Sequence, residues 1–369
     1  MARLLQPQRH LSAWAGIVLG WAAGLALAGC APGGPRPDTS TRPPAAAAPA
    51  IRLQLDWYPQ AEHGGFYQAL ARGFYQQAGL DVEILPGGPG AFIMQKLVTE
   101  RVDVAIGRSD DVFAAVGEGM PVVIVGVFMQ RDPLCLLVHE DDPVRTFADL
   151  NGRAVMAHPG AAWVRHVEAT LGITIHLVPM NYGLARFLAD PTFIQQGYIT
   201  NEVFVAQRAG ARVRTLLLAE SGNESLRVIF TRRPLLREHP LALQAFITAS
   251  LRGWDDFMHG DPAPAKTLIR ERHESLDAEV FDHAREALRT HRLVDGDPGR
   301  GEAPGLLSRP RLQRQLDQLR AVKLVREDLQ LDEAVSFAFP SREAAGEGAA
   351  TATPPAPTLD PAAIHPRPP

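Results

Sequence analysis

The chain has 369 residues, 46% of them hydrophobic and 21% charged, which suffices for a sizeable core in two lobes and excludes disorder throughout. Its 37 basic and 41 acidic side chains leave a formal charge of -4, too weak a field to argue for nucleic acid or an anionic membrane surface. A small solute is the expected partner.

Residues 1–29 read as an export signal: Arg3 and Arg9 precede an apolar stretch from Leu11 to Leu27 that ends in "LAGC". That tetrapeptide resembles the bacterial lipobox, which implies cleavage before Cys30 and acylation of its thiol and amine, a stable lipid anchor. The remaining cysteine, Cys135, then has no disulfide partner, and its apolar run "PLCLLV" marks it as a buried structural thiol. Residues 30–50, rich in Pro and Ala, predict a semi-extended tether, and residues 341–369 predict a disordered tail. The protein is therefore expected outside the cytoplasm, held to the cell membrane or outer membrane and facing the periplasm or exterior.

Between the tails, strands alternate with helices. "IRLQLD" predicts a strand, "GGFYQALARGFYQQAG" one helix, "LDVEILP" a strand, "AFIMQKLVTE" a helix, "VDVAIG" a strand, "DDVFAAVGEG" a helix and "PVVIVGVF" a buried strand. The order repeats from Pro133, with a strand in "PLCLLVHE", a short helix and strand in "TFADLNGRAVMAHPG", strands in "ITIHLVPM" and "FIQQGYI" and helices at "AAWVRHVEATLG" and "TNEVFVAQRAG", the last capped by Thr200 or Asn201. After "LRVIFTRR" the pattern is helical from Pro234 to Val322. Such alternation predicts α/β lobes built on parallel sheets, with the ligand crevice beyond the carboxyl ends of the strands.

Three segments fall at those ends. Asp56, Trp57, His63 and Tyr67 lie where the first strand hands over to a helix. "PGGPG", which contains Gly88, could cradle an anion or polar substituent on its backbone N–H groups, and Ser109 or Asp110 in "GRSDDV" could cap the next helix. Tyr198 and Glu202 are spaced to converge where a second-lobe strand meets its helix, and His158, Pro159 and Gly160 repeat the rim pattern there. His158, His166 and His176 fall on different elements, so no metal site is expected.

The run from "LDWYPQAEHGGFYQAL" through "PGGPG", followed by "VDVAIGRSDDV" and "GYITNE", resembles the solute-binding proteins of ABC importers for thiamine-related pyrimidine precursors, a family that also contains pyrimidine-precursor synthases. The resemblance spans residues 51–269 and implies a two-lobed type II periplasmic-binding clamshell: residues 51–130 and 232–340 in lobe one, 131–231 in lobe two. It implies an aminopyrimidine as ligand, a permease and its ATPase as partners, a monomer, and contacts from Trp57, Tyr198 and Glu202. On that reading Trp57 and Tyr198 stack on opposite faces of the ring, Asp56 or Glu202 accepts from the exocyclic amine, and Asn201 donates to a ring nitrogen or formyl oxygen. The chain departs from the family in "WYPQ", where an asparagine is common after the proline, and in Arg108, which favours an anionic group on the ligand. Alkanesulfonates, nitrate and riboflavin remain alternative ligands, and ligand sensing an alternative role. An enzyme is disfavoured: the cysteine-rich motif of the synthases is missing, and the three lysines, Lys96, Lys266 and Lys323, offer no Schiff-base candidate. No cofactor is expected.

Overall fold

The computed structural model describes residues 49–339. The expected export signal, Cys30, the tether up to residue 48 and the tail from residue 341 lie outside the described residues. Among the described residues no helix is long and apolar enough to cross a membrane.

Lobe one opens with β1 (Ala50–Gln54), α1 (Gly64–Ala71), α2 (Phe74–Gln77), β2 (Asp81–Leu85), α3 (Ile93–Val98), β3 (Val104–Arg108), α4 (Ser109–Gly117) and β4 (Val122–Met129). Lobe two contains β5 (Leu134–His139), β6 (Ala154–Ala157), α5 (Ala162–Leu171), β7 (His176–Pro179), α6 (Ala185–Ala189), β8 (Ile194–Tyr198), α7 (Glu202–Arg208) and β9 (Val213–Leu217). β10 (Arg227–Arg232) returns the chain to lobe one, followed by α8 (Arg233–Glu238), α9 (Pro240–His259), α10 (Ala263–Arg272), α11 (Ala278–Thr290), α12 (Arg309–Ala321) and α13 (Leu331–Ala334).

The two sheets share one topology, β2-β1-β3-β10-β4 and β7-β6-β8-β5-β9. In each, four strands run the same way, and the fourth in order, β10 or β5, is antiparallel to both its neighbours. The wholly parallel sheets expected from the alternation are thus corrected. A strand that enters from the other lobe, instead of through a crossover helix, arrives running the opposite way. Lobe one also resumes at Arg227, ahead of the expected boundary at 231, because β10 pairs along its whole length with β4. Residues 130–133 and 218–226 are the two crossings.

The expected first helix divides at Gly73, whose φ of +68° ends α1 and starts α2. α1 then lies unusually close to α9. A Cβ on Gly65 would sit 2.1 Å from the Trp254 ring, and one on Gly253 would sit 2.2 Å from the Gly65 carbonyl oxygen. This contact seats Trp254 against Phe66 and in a stack with Phe128 at 5.6 Å, in the core of lobe one. Because the obstacle at Gly253 is backbone, Gly253→Ala is expected to destabilise the protein by about 2–3 kcal/mol. The measurement is the urea midpoint at constant m-value.

Candidate functional site between the lobes

The segment after β1 is fixed by its own backbone and side chains. Leu55 donates to the Leu85 carbonyl, and Gln54 reaches over to the Leu55 and Pro86 carbonyls, so Asp56 and Trp57 emerge at the strand's carboxyl end. Gln60 N–H donates to His63 Nδ1 at 3.4 Å. That assigns the proton to Nε2, which donates to Asp56 Oδ1 at 3.2 Å. From β10, Arg227 forms an ion pair with the other Asp56 oxygen and reaches Tyr198 Oη, across the cleft, at 3.4 Å. Burial alone would raise the Asp56 carboxyl, but Arg227 and His63 outweigh it and hold the group well below the usual carboxylate range. Burial pushes the Tyr198 phenol up.

A second crossing lies beside the first. Thr200 Oγ1 of lobe two donates to Glu62 Oε1 of lobe one, and both residues are buried. Glu202, opening α7, accepts from the Tyr198 N–H at 2.7 Å and from Asn201 Nδ2 at 3.2 Å. Burial pushes both Glu62 and Glu202 up, against these hydrogen bonds. Arg108 pairs with Asp110 at 2.7 Å and with Asp132, in the first crossing segment, at 3.1 Å. Asp56 thus pairs with Arg227, and Asp110 and Asp132 with Arg108, so both guanidiniums are engaged by acids, while Glu62 and Glu202 add two further carboxyls held by hydrogen bonds. Next to Asp56 in the chain, Trp57 meets the Tyr58 ring edge-on at 5.5 Å and the Tyr182 ring of lobe two at 5.3 Å. The arrangement can stack a flat ring and offer it carboxyls as acceptors, or as donors where one is protonated.

The sequence profile described as "NMT1/THI5 like" matches residues 60–265, more than half of the chain. The chain belongs to the NMT1/THI5-like family. It is 30% identical over 112 residues to a Haemophilus influenzae protein named for thiamine biosynthesis; that match covers 30% of this chain and 36% of the relative, so the chain spans about a third of its length. Longer matches join it to the riboflavin-binding protein RibY of Chloroflexus aurantiacus (25% identical, 60% of this chain, 68% of the relative) and to the formylaminopyrimidine-binding protein of Halalkalibacterium halodurans (26%, 64% and 75%). Among solved structures, the periplasmic aliphatic sulphonate binding protein SsuA of Escherichia coli superposes with a TM-score of 0.59 at 16% identity, covering 78% of this chain and 92% of that one. That likeness establishes the periplasmic-binding-protein fold.

Within this member of the NMT1/THI5-like family, the expected site residues divide. Asp56, Trp57, His63, Tyr198, Asn201 and Glu202 lie where the two lobes meet, although two expected roles are corrected. The lobe-two ring against Trp57 is Tyr182, while Tyr198 turns its hydroxyl toward Arg227. The Asp56 carboxylate is already engaged by Arg227 and His63 instead of standing open for an amine. Tyr67 is buried on α1 in the core under Arg272, whose guanidinium lies 5.6 Å from its ring; burial pushes its phenol up to about 12.

Of the N–H groups in the expected "PGGPG" cradle, that of Gly87 is engaged within the protein, donating to the Trp57 carbonyl at 2.9 Å. Gly88, at φ +141°, is placed so that a Cβ would come within 3.0 Å of the Tyr58 ring. Ser109 does not cap α4: its hydroxyl accepts from Leu226 N–H and from Gln315 Nε2, joining β10 and α12. Neither Thr200 nor Asn201 caps α7 with its side chain. Arg108, expected to favour an anionic ligand, is neutralised by Asp110 and Asp132. Cys135 is buried as expected, and burial raises its thiol well above the usual range.

Sequence reasoning missed Arg227, Glu62 and Tyr182. An arginine beginning the apolar run "RVIF" is the signal that could have marked the first, because a cation within a buried strand calls for a carboxylate partner.

Proposed function

We propose that the protein captures a flat, amine-bearing heterocycle of the aminopyrimidine class between its lobes and presents it to the permease of an ABC importer, with Cys30 as its lipid anchor outside the cytoplasm. The observation that carries this reading is the excess of carboxyls over guanidiniums where the two lobes meet. Glu62 and Glu202, both raised by burial, can accept from an exocyclic amine and, when protonated, donate to a ring nitrogen. A sulfonate or nitrate would instead have to draw Arg108 or Arg227 away from an acid already bound. The formylaminopyrimidine-binding relative supports the same ligand class.

Closure follows from linkage. A ring touching both lobes binds the closed form better and shifts the population toward it, giving a permease a distinct surface to engage. Chemistry on the ligand has little support: the Cys135 thiol is buried and unreactive, Lys96 donates to Gln54 at 2.9 Å and Lys266 to Asp282 at 2.5 Å.

Titration calorimetry with 4-amino-5-hydroxymethyl-2-methylpyrimidine and taurine tests the reading. The wild type should bind the aminopyrimidine, Trp57→Ala should lose about tenfold or more in affinity, and Glu202→Gln should weaken the aminopyrimidine alone. Tighter binding of taurine than of the aminopyrimidine by the wild type would overturn it.

A further inference from the structure

The turn after β7 carries an expensive aromatic. Tyr182 has a φ of +60°, a left-handed conformation that residues other than glycine rarely adopt, and the residue is 51% exposed. Core packing therefore does not explain why the chain holds it there. The turn is nonetheless braced on both sides: Gly183 N–H donates to Asn181 Oδ1 at 3.0 Å, and the buried Gln195 of β8 donates from Nε2 to the Gly183 carbonyl at 3.0 Å. A strained backbone locked by a buried amide presents one exposed ring, and that ring lies 5.3 Å from Trp57 of the other lobe.

We propose that Tyr182, and not Tyr198, is the lobe-two wall of the stacking slot, and that it sets the preference for flat aromatic rings over tetrahedral anions. The proposal rests on the binding reading above and deepens it. The two ring planes are tilted by 37° at 5.3 Å, so Tyr182 leans toward Trp57 without lying flat on it. A planar ligand fits between them when the lobes part enough to leave about 3.5 Å on either side of it, roughly 7 Å from wall to wall. A ring fills such a slot on both faces, whereas a sulfonate meets the same walls edge by edge and gains no stacking. Tyr58, edge-on to Trp57, limits how far that indole can turn away.

The test has two arms. In the ligand-free protein, Tyr182→Ala should raise acrylamide quenching of the Trp57 emission, taken as the difference between each protein and its Trp57→Phe counterpart. In stopped-flow experiments with 4-amino-5-hydroxymethyl-2-methylpyrimidine and with riboflavin, Tyr182→Ala should speed release of whichever ring the wild type binds by about threefold to tenfold, and Tyr182→Phe should stay within about twofold of wild type. Unchanged quenching, unchanged or slower release from Tyr182→Ala, or a Tyr182→Phe variant as impaired as Tyr182→Ala would overturn the assignment. Wild-type binding of riboflavin but not of the aminopyrimidine would overturn the pyrimidine reading alone; binding of neither would overturn both.

Discussion

Arg311→Met is expected to destabilise the protein by about 3 kcal/mol and to loosen the coupling between the lobes. Arg311 lies buried on α12, where Nε donates to Glu224 at 2.8 Å and Nη1 reaches Gln130 at 3.3 Å and Glu302 at 3.3 Å. Gln130 belongs to one interlobe crossing and Glu224 to the other, so a single guanidinium ties both hinge strands to the C-terminal helices. Gln130 adds bonds to the Ala303 and Leu306 carbonyls. Burial lowers the Arg311 pKa, and Glu302 and Glu224 counter it.

Methionine matches much of the volume but leaves two buried carboxyls facing apolar atoms. Arg314 at 3.0 Å from Glu224 and Arg131 at 3.1 Å from Glu302 soften the loss, which places the estimate at the low end for a broken buried pair. Urea unfolding reads the stability. Adding Glu224→Gln and Glu302→Gln to Arg311→Met should recover most of it, because the cost lies in stranded charge; a triple variant no more stable than the single one would mean that packing, not charge, holds the hinge.

Asp56→Asn is expected to cost nearly as much, about 2–3 kcal/mol near neutral pH, because Arg227, 4% exposed, would face a neutral amide. The sign with pH follows from the depressed Asp56 pKa. Its contribution is complete above the unfolded value of about 3.9 and is lost as pH falls toward the folded value. The gap in thermal midpoint between wild type and Asp56→Asn should therefore be constant from neutral pH down to about 4 and close below that. Glu62 and Glu202 act in the opposite sense: their raised values give stability that is complete in acid and is lost as pH rises through the folded pKa. A gap that widened in acid would contradict the Asp56–Arg227 pairing.

The lobes and the rim position of Asp56 and Trp57 were legible because they depend on local pattern. Alternation in "IRLQLD" and the Pro59 and Gly64 stops place that joint without reference to the rest of the chain. Arg227 was not legible, since its role appears only when β10 pairs with β3 and sets Arg227 across from Arg108, a contact between residues far apart in sequence. Nor was Tyr182, whose turn has no periodicity and whose backbone angle no residue type announces. The Arg311 brace falls in the helical region where the resemblance to the family thins out, and its partners come from three separate stretches of chain. Tyr67 misled for the opposite reason: one helical turn beyond the rim, "GFYQAL" places an aromatic on the face that α10 covers.

The most direct measurement is a crystal structure of the protein with 4-amino-5-hydroxymethyl-2-methylpyrimidine bound. The account predicts the ring stacked on Trp57 between the lobes, with its exocyclic amine on the carboxyl of Glu62 or Glu202 and the Asp56–Arg227 pair intact. A ring bound away from Trp57, or an Arg227 released from Asp56 to hold an anion in the same cleft, would contradict it.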